Sequence, residues 1–403
     1  MPAGTAFHPR TAALCESLSF REWAGYYAVS AYETTHEHEY ATIRNGAALI
    51  DVSPLFKYLV RGPDATRLVD RIVTRDATRV SPGQVIYTPW CDERGKVIDD
   101  GTVTRLEESV WRWTAAEPNL RWFRLNAAGL NVEIEDISER VAALAVQGPM
   151  SRQLLQAAAD ADVATLKYFR VTRGTIAGVP VDISRTGYTG DLGYEIWIPW
   201  ERATDVWDRL MEVGRAFDAR PAGLLALDVA RIEAGLLLID VDFNSSRKVV
   251  ADFQRYTPDE LGLGRLVSET KGPFIGRDAI RQERRRGIAR RIAGLEIDWR
   301  AVESLYTRIG LTPQVPTVAS RVAVPVYRNG RQIGKATSTT WSPVLKRLIA
   351  LATIAAPHSA VGTTCEVEVT VEAVRHRAPA RVVPTPFYNP PWKTAGAEAE
   401  PTG

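Results

Sequence analysis

The residues of this sequence best placed to do chemistry are carboxylates beside glycine-rich turns. Glu195 closes the run Arg185-Thr186-Gly187-Tyr188-Thr189-Gly190-Asp191-Leu192-Gly193-Tyr194. Asp99 and Asp100 follow Gly95-Lys96-Val97-Ile98. Adjacent strand residues face opposite ways, so only one of these two aspartates can address a given site. Asp228 and Arg231 lie three apart on a helical stretch that also carries Glu233, a spacing that allows an ion pair. Other chemistries lack their motifs. No G-x-S-x-G elbow, no G-x-x-x-x-G-K-[ST] loop and no H-E-x-x-H helix occurs. Gly262-Leu263-Gly264-Arg265 is not a dinucleotide fingerprint. His36 and His38 flank Glu37 but have no third ligand nearby, so a metal site has little support. Carboxylates and arginines on loops and turns suit a cofactor that carries the reaction while the protein binds and orients it.

The elements that must hold these groups follow from periodicity. Residues 181–184 and 194–198 alternate apolar with polar on either side of the glycine-rich run, which predicts strand, turn, strand. Tyr194, Ile196 and Ile198 then share one face and Glu195 takes the other. The glycines allow positive φ and close approach to a ligand. Residues 56–60, 83–87, 96–106, 110–114 and 131–137 read as strands, with helices at 62–74 and 118–130. That order is a ferredoxin-like pattern over 56–139, inserted into a larger α+β unit of residues 1–55 and 140–275. Helices are expected at 39–45, 150–159, 204–217 and 221–238. A charged helix is expected at 277–291. From residue 292 short strands recur, with a hairpin signal at Asn329-Gly330, and predict a β barrel or jelly roll over 290–392. The first twenty residues read as poorly ordered at their start, and residues 393–403 as a disordered tail.

The length of 403 residues fits two or three domains. A net charge of +2 gives no electrostatic case for nucleic acid. Three scattered cysteines without a C-x-x-C indicate neither a disulfide framework nor a zinc site and fit a reducing compartment. No run reaches membrane-spanning length and no secretory signal is visible, so a cytoplasmic location is expected.

The glycine-rich run resembles the R-x-G-Y-T-G-E-x-G-x-E signature of the glycine-cleavage T-protein (aminomethyltransferase) superfamily. Five further segments match that family in order: Arg44 to Asp51-Val52-Ser53, Gly95 to Asp100, Arg231-Ile232-Glu233-Ala234-Gly235, Phe274-Ile275-Gly276-Arg277, and Thr337-Ser338 with Ser342-Pro343. The resemblance implies a three-domain fold with a central folate site, and tetrahydrofolate as cofactor. It implies that Glu195 accepts hydrogen bonds from the pterin edge. Asp100 would lie near the reacting nitrogens as the catalytic acid group, and Arg231 would fix Asp228 or folate. Tyr87, Tyr188 and Tyr388 are further cofactor contacts. Leu55 and Arg265 stand at pocket positions where the family usually carries His-Met and Gly-Leu-Gly-Trp, here Pro54-Leu55 and Gly-Leu-Gly-Arg. Arg291, with Arg290, is the candidate for the anionic folate tail. The two departures favour a demethylase that moves a methyl group from a small methylated substrate to tetrahydrofolate. The alternatives are the aminomethyltransferase of glycine cleavage, which has a lipoyl carrier protein as partner, and a non-catalytic folate-binding relative. Residues 236–240 lack the K-G-C-Y-x-G-Q-E motif of the family's iron–sulfur-assembly branch. Trp90, Trp111 and Trp113 lie on strands beside Asp100 and could face a cationic donor; otherwise they are core aromatics.

Overall fold

The structure, a computed structural model, describes residues 1–395. Its centre is a seven-stranded sheet with Val141–Gln147 between Gly193–Pro199 and Ala47–Asp51. Val141–Gln147 is almost continuously apolar, and six of its seven residues are buried, because both sheet faces are covered. Tyr194, Ile196 and Ile198 pack on one face with helices Ser151–Ala158 and Ala203–Gly214. Trp197 packs on the other face, in the cluster that includes helix Leu224–Glu233. Glu195 lies on that second side, as the alternation requires.

Residues 56–136 form a five-stranded antiparallel sheet, ordered Gln84–Cys91, Val97–Glu107, Val110–Ala115, Phe56–Arg61, Glu133–Asp136. Helices Ala65–Ile72 and Leu120–Asn126 supply apolar side chains to its core cluster. Three-dimensional closure comes from a six-stranded barrel, opened by Arg290–Ile297 and completed by the strands between Val324 and Val383. Asn329 (φ 50°) and Gly330 (φ 78°) make the predicted tight hairpin turn. One apolar cluster draws Ile50 and Ala145 from the central sheet, Cys91 and Val97 from the five-stranded sheet, and Ile349 and Leu351 from the barrel. The three units therefore meet over a shared core. No helix among the described residues is long and apolar enough to cross a membrane.

Several expectations are corrected. The N-terminus is ordered: His8–Leu14 is helical, and Phe7 is fully buried 5.7 Å from the Trp207 ring. Trp90, Trp111 and Trp113 are fully buried in the helix-side core of the five-stranded sheet, so they present no face to a donor. The charged helix ends at Arg286 because Gly287 takes φ 84°, and Arg290 and Arg291 begin a barrel strand. Helix Trp299–Thr307 was not expected, although Asp298 caps it by accepting from the Ala301 N–H at 3.2 Å. Helix Leu224–Glu233 stops five residues short of the expected end. Of the tail, residues 396–403 lie outside the described residues. Ala395 is placed, and its carbonyl accepts from Arg152 and Arg185.

Candidate functional site

The glycine-rich run owes its conformation to a glutamine forty residues earlier. Gln147 donates to the carbonyls of Thr186 (3.3 Å) and Tyr194 (3.2 Å) and accepts from the Thr189 hydroxyl (2.8 Å). A Cβ at Gly187 would stand 2.1 Å from Gln147 Oε1, and one at Gly193 2.2 Å from it. Gly190 (φ 76°) would meet Ala234 Cβ at 2.4 Å. These glycines make room for Gln147 and for the end of helix Leu224–Glu233. That differs from the expected role of letting a ligand approach the backbone.

Folded this way, the run presents Glu195 half-buried on the inner face. Thr186 Oγ1 donates to Glu195 Oε2, and no second hydrogen-bond partner of this carboxylate occurs among the described residues. Behind it runs a polar relay: Trp197 Nε1 donates to Ser184 Oγ at 3.2 Å, and Ser184 Oγ lies 2.9 Å from Thr186 Oγ1. Burial pushes the Glu195 carboxyl up, and the Thr186 bond and the Arg112 charge pull it back. The free oxygen is an acceptor that suits a ligand edge carrying N–H donors.

Asp100 and Asp99 divide as strand geometry demands. Tyr87 donates its hydroxyl to Asp100, which is half-buried on the inner side. Burial pushes Asp100 up to about 6, against the Tyr87 hydrogen bond. Asp99 is fully buried on the helix side. It accepts from Asn119 Nδ2 (2.9 Å), Glu117 N (3.1 Å) and Asp100 N (2.8 Å). Burial, then the neighbouring Asp100 charge, hold the Asp99 carboxyl far above the usual range. Tyr188 closes the group: its hydroxyl donates to the Leu237 carbonyl, and its ring oxygen lies within reach of the Asp100 and Arg231 charges. Asp100, Tyr87 and Tyr188 thus converge from two different sheets.

Arg231 is fully buried, and its guanidinium is fully engaged. It donates to Asp242 (2.6 Å), Ser338 Oγ (2.9 Å), the Leu236 carbonyl (3.4 Å) and Asp228 (3.4 Å). It thus reaches Asp228, one of the two partners expected for it. Leu55 packs partly buried against the shared core, with its carbonyl held at 2.6 Å by the buried Lys57 ammonium. Burial lowers that ammonium to about 7. Arg265, Arg291 and Tyr388 are the remaining expected contacts. Arg265 is exposed on the turn Gly264–Leu266, and its charge adds to burial in lowering the Arg75 guanidinium. Arg291 is exposed on its barrel strand, whereas its neighbour Arg290 pairs with Glu260 at 3.2 Å over the Tyr256 ring. Tyr388 lies under the Arg44 guanidinium, 4.5 Å from it, and its N–H donates to the Glu233 carbonyl at 2.9 Å. It packs with Arg44 and Glu233 in a polar knot.

Arg112 was missed. It stands between Trp111 and Trp113 on the strand Val110–Ala115, a lone charge in an aromatic run. Its partner Asp182 (2.6 Å) is seventy residues away in sequence, and its guanidinium stacks 4.3 Å from the Trp197 ring.

Residues 7–271 match the GCVT N-terminal domain, and residues 307–389 match the glycine cleavage T-protein C-terminal barrel domain. An aminomethyltransferase of Moorella thermoacetica is 35% identical over 376 residues, covering 92% of this chain and 94% of that protein. One from Caldanaerobacter subterraneus is 32% identical over 381 residues, 93% of each. A trimethylamine-oxide aldolase of Ruegeria pomeroyi is 36% identical over 408 residues, which span 97% of this chain and 47% of that protein. In solved structures, the glycine cleavage system aminomethyltransferase T of Bartonella henselae superposes with a TM-score of 0.80 at 23% identity, over 96% of this chain and 99% of that one.

Proposed function

Because the chain belongs to the glycine cleavage T-protein family, we propose that it transfers a one-carbon unit to tetrahydrofolate, and that the unit is a methyl group taken from a small methylated amine. The observation that carries this reading is the pair of unlike carboxylates on the inner side. Among the described residues, Glu195 has a free acceptor oxygen, and Asp100 is paired only with a tyrosine hydroxyl. A reduced pterin presents N–H donors along one edge, so the free oxygen of Glu195 fits it. Tetrahydrofolate would supply the nitrogen that accepts the carbon, and the donor, charged as an ammonium, would leave as the neutral amine with the electron pair of the broken C–N bond. Asp100, held by Tyr87, offsets the positive charge that develops as the new bond forms, and with its carboxyl pushed up to about 6 it can take the departing proton. Tyr188 would bound the same space beside Asp100, and Leu55 would join it from the shared core. Arg231 acts from behind, bracing Asp228 and Asp242. A relative whose printed name gives trimethylamine oxide as its substrate supports a methylated nitrogen compound as donor.

The aminomethyltransferase relatives that align end to end favour a second reading, aminomethyl transfer with a lipoyl carrier protein as partner. The folate product separates the two. Incubation with tetrahydrofolate and a panel of methylated amines should give 5-methyltetrahydrofolate by mass spectrometry. Methylene-folate and ammonia appearing only with aminomethyl-lipoyl carrier protein would establish the second reading instead.

Glu195→Ala should weaken tetrahydrofolate binding by about 1.5–3 kcal/mol, the range for a hydrogen bond to a charged group. Calorimetric titration reads this directly, and an unchanged Kd would remove Glu195 from the site.

A further inference from the structure

Arg112 is 4% exposed, and only one arm of its guanidinium is used. Nη1 donates to Asp182 at 2.6 Å, whereas Nε and Nη2 have no partner. A buried, unpaired N–H is costly, more so in a charged group, and here two such donors lie side by side. Nε and Nη2 form the edge of the guanidinium that grips a carboxylate with two parallel hydrogen bonds. Two other arginines of this protein use that edge in this way. Arg10 holds Asp208 through Nε and Nη2 at 2.7 Å each, and Arg284 holds Asp259 at 2.8 and 3.1 Å. In Arg112 that edge has no hydrogen-bond partner, and both of its nitrogens are shielded from solvent beside the cleft.

The surroundings give a ligand a place to lie. Arg112 lines a cleft of about 340 Å³ between the five-stranded sheet and the strands Val179–Ser184 and Gly193–Pro199. The walls include Val141, Pro180 and Trp197, and the exposed Arg140 and Arg173 stand at the rim. Asp182 is the only carboxylate in the lining, and it is shared between Arg112 and Arg173. Arg140 pairs with Glu135 and Arg173 with Glu107, so the rim arginines are already compensated, and the uncommitted donors at the cleft are those of Arg112, over an apolar floor.

We propose that this cleft is a carboxylate-binding site, in which the free Nε–Nη2 edge of Arg112 takes the two oxygens and the apolar wall takes the adjoining body of the ligand. The proposed function enters only in the choice of probes. Two sources carry this chemistry there: the glutamate of the folate and a carboxylate on the methyl donor.

The test titrates four probes into the full chain by calorimetry: tetrahydrofolate, tetrahydropteroate (the same molecule without its glutamate), N,N-dimethylglycine and dimethylamine. Wild type should prefer the carboxylate-bearing member of one pair by tenfold or more. That pair identifies the source. Arg112→Lys keeps the charge but not the two-pronged edge, and should abolish the preference while leaving the carboxylate-free member unchanged. Pro180→Trp fills the cleft from its exposed wall without touching Arg112. It should also abolish the preference, which keeps the test open if the arginine variant fails to fold. Equal affinity within both pairs in wild type, or a preference that survives both substitutions, would overturn the proposal. Wild type that binds neither folate would instead count against the proposed function, and the dimethylglycine pair would then decide the cleft alone. Binding of none of the four overturns both.

Discussion

Asp100→Asn should lower kcat by on the order of 10²–10³-fold, the loss typical of removing one group that stabilises transition-state charge. The Kd for tetrahydrofolate should move far less. Asparagine keeps the shape and still accepts from the Tyr87 hydroxyl, so the bound state changes little. What disappears is the negative charge, which matters most as positive charge develops. The pH dependence follows from the same carboxyl. Burial raises it to about 6, so below that pH it is protonated and neutral, and above it the charge is present. The rate of the wild type should therefore rise with pH through about 6, and the Asp100→Asn profile should lack that limb. Asp99→Asn makes a useful contrast. Asp99 accepts three N–H bonds in the core, and an amide would turn one acceptor into a donor facing donors. Its loss should appear as a lowered Tm, not as the slow turnover expected at Asp100. Equal kcat for wild type and Asp100→Asn would remove Asp100 from the chemistry.

The largest effect on stability is expected at Glu233. Its fully buried carboxylate accepts from Arg44 at 2.6 and 3.1 Å, from the Tyr40 hydroxyl at 2.6 Å and from Ser342 Oγ at 2.5 Å. Glu233→Ala strands the Arg44 charge, 4% exposed, with only Asp191 left as a carboxylate partner. Breaking a buried pair by deleting one member costs about 3–5 kcal/mol. Urea unfolding should show that loss, and a change below about 1 kcal/mol would mean that water or Asp191 takes over the role. Glu233→Gln keeps an acceptor for Tyr40 and Ser342 and should cost less.

Much of this was legible in the sequence, and what was not had a common cause. Period-two alternation placed Glu195 opposite Tyr194 and Ile196, and separated Asp99 from Asp100, because both are local consequences of a strand. The order of elements over 56–139 and the hairpin at Asn329-Gly330 were equally local. The purpose of the motif glycines was hidden, since the side chain they accommodate, Gln147, is forty residues upstream. Arg112 was hidden likewise, since only the fold brings Asp182 and Trp197 to it. The directions of Arg265 and Arg291 were hidden too, since a position matched to a motif does not fix the direction of a side chain. The charged helix was drawn too long because a run of arginines on both sides of Gly287 masks a stop signal that the glycine itself provides.

The barrel strands also carry Thr337 and Ser338, which donate to Asp242 at 2.6 and 2.7 Å, beside Ser342 on Glu233. Its opening strand, Arg290–Ile297, lies on the far side of an exposed stretch around residues 308–318 from the other five. A protease that cuts in that stretch therefore severs the chain inside the barrel. Neither fragment can leave without opening a closed ring of strand pairs and uncovering carboxylates that have no access to water. The nicked molecule is one particle made of two peptides, so splitting the gene at this point would make two polypeptides that each need the other to fold.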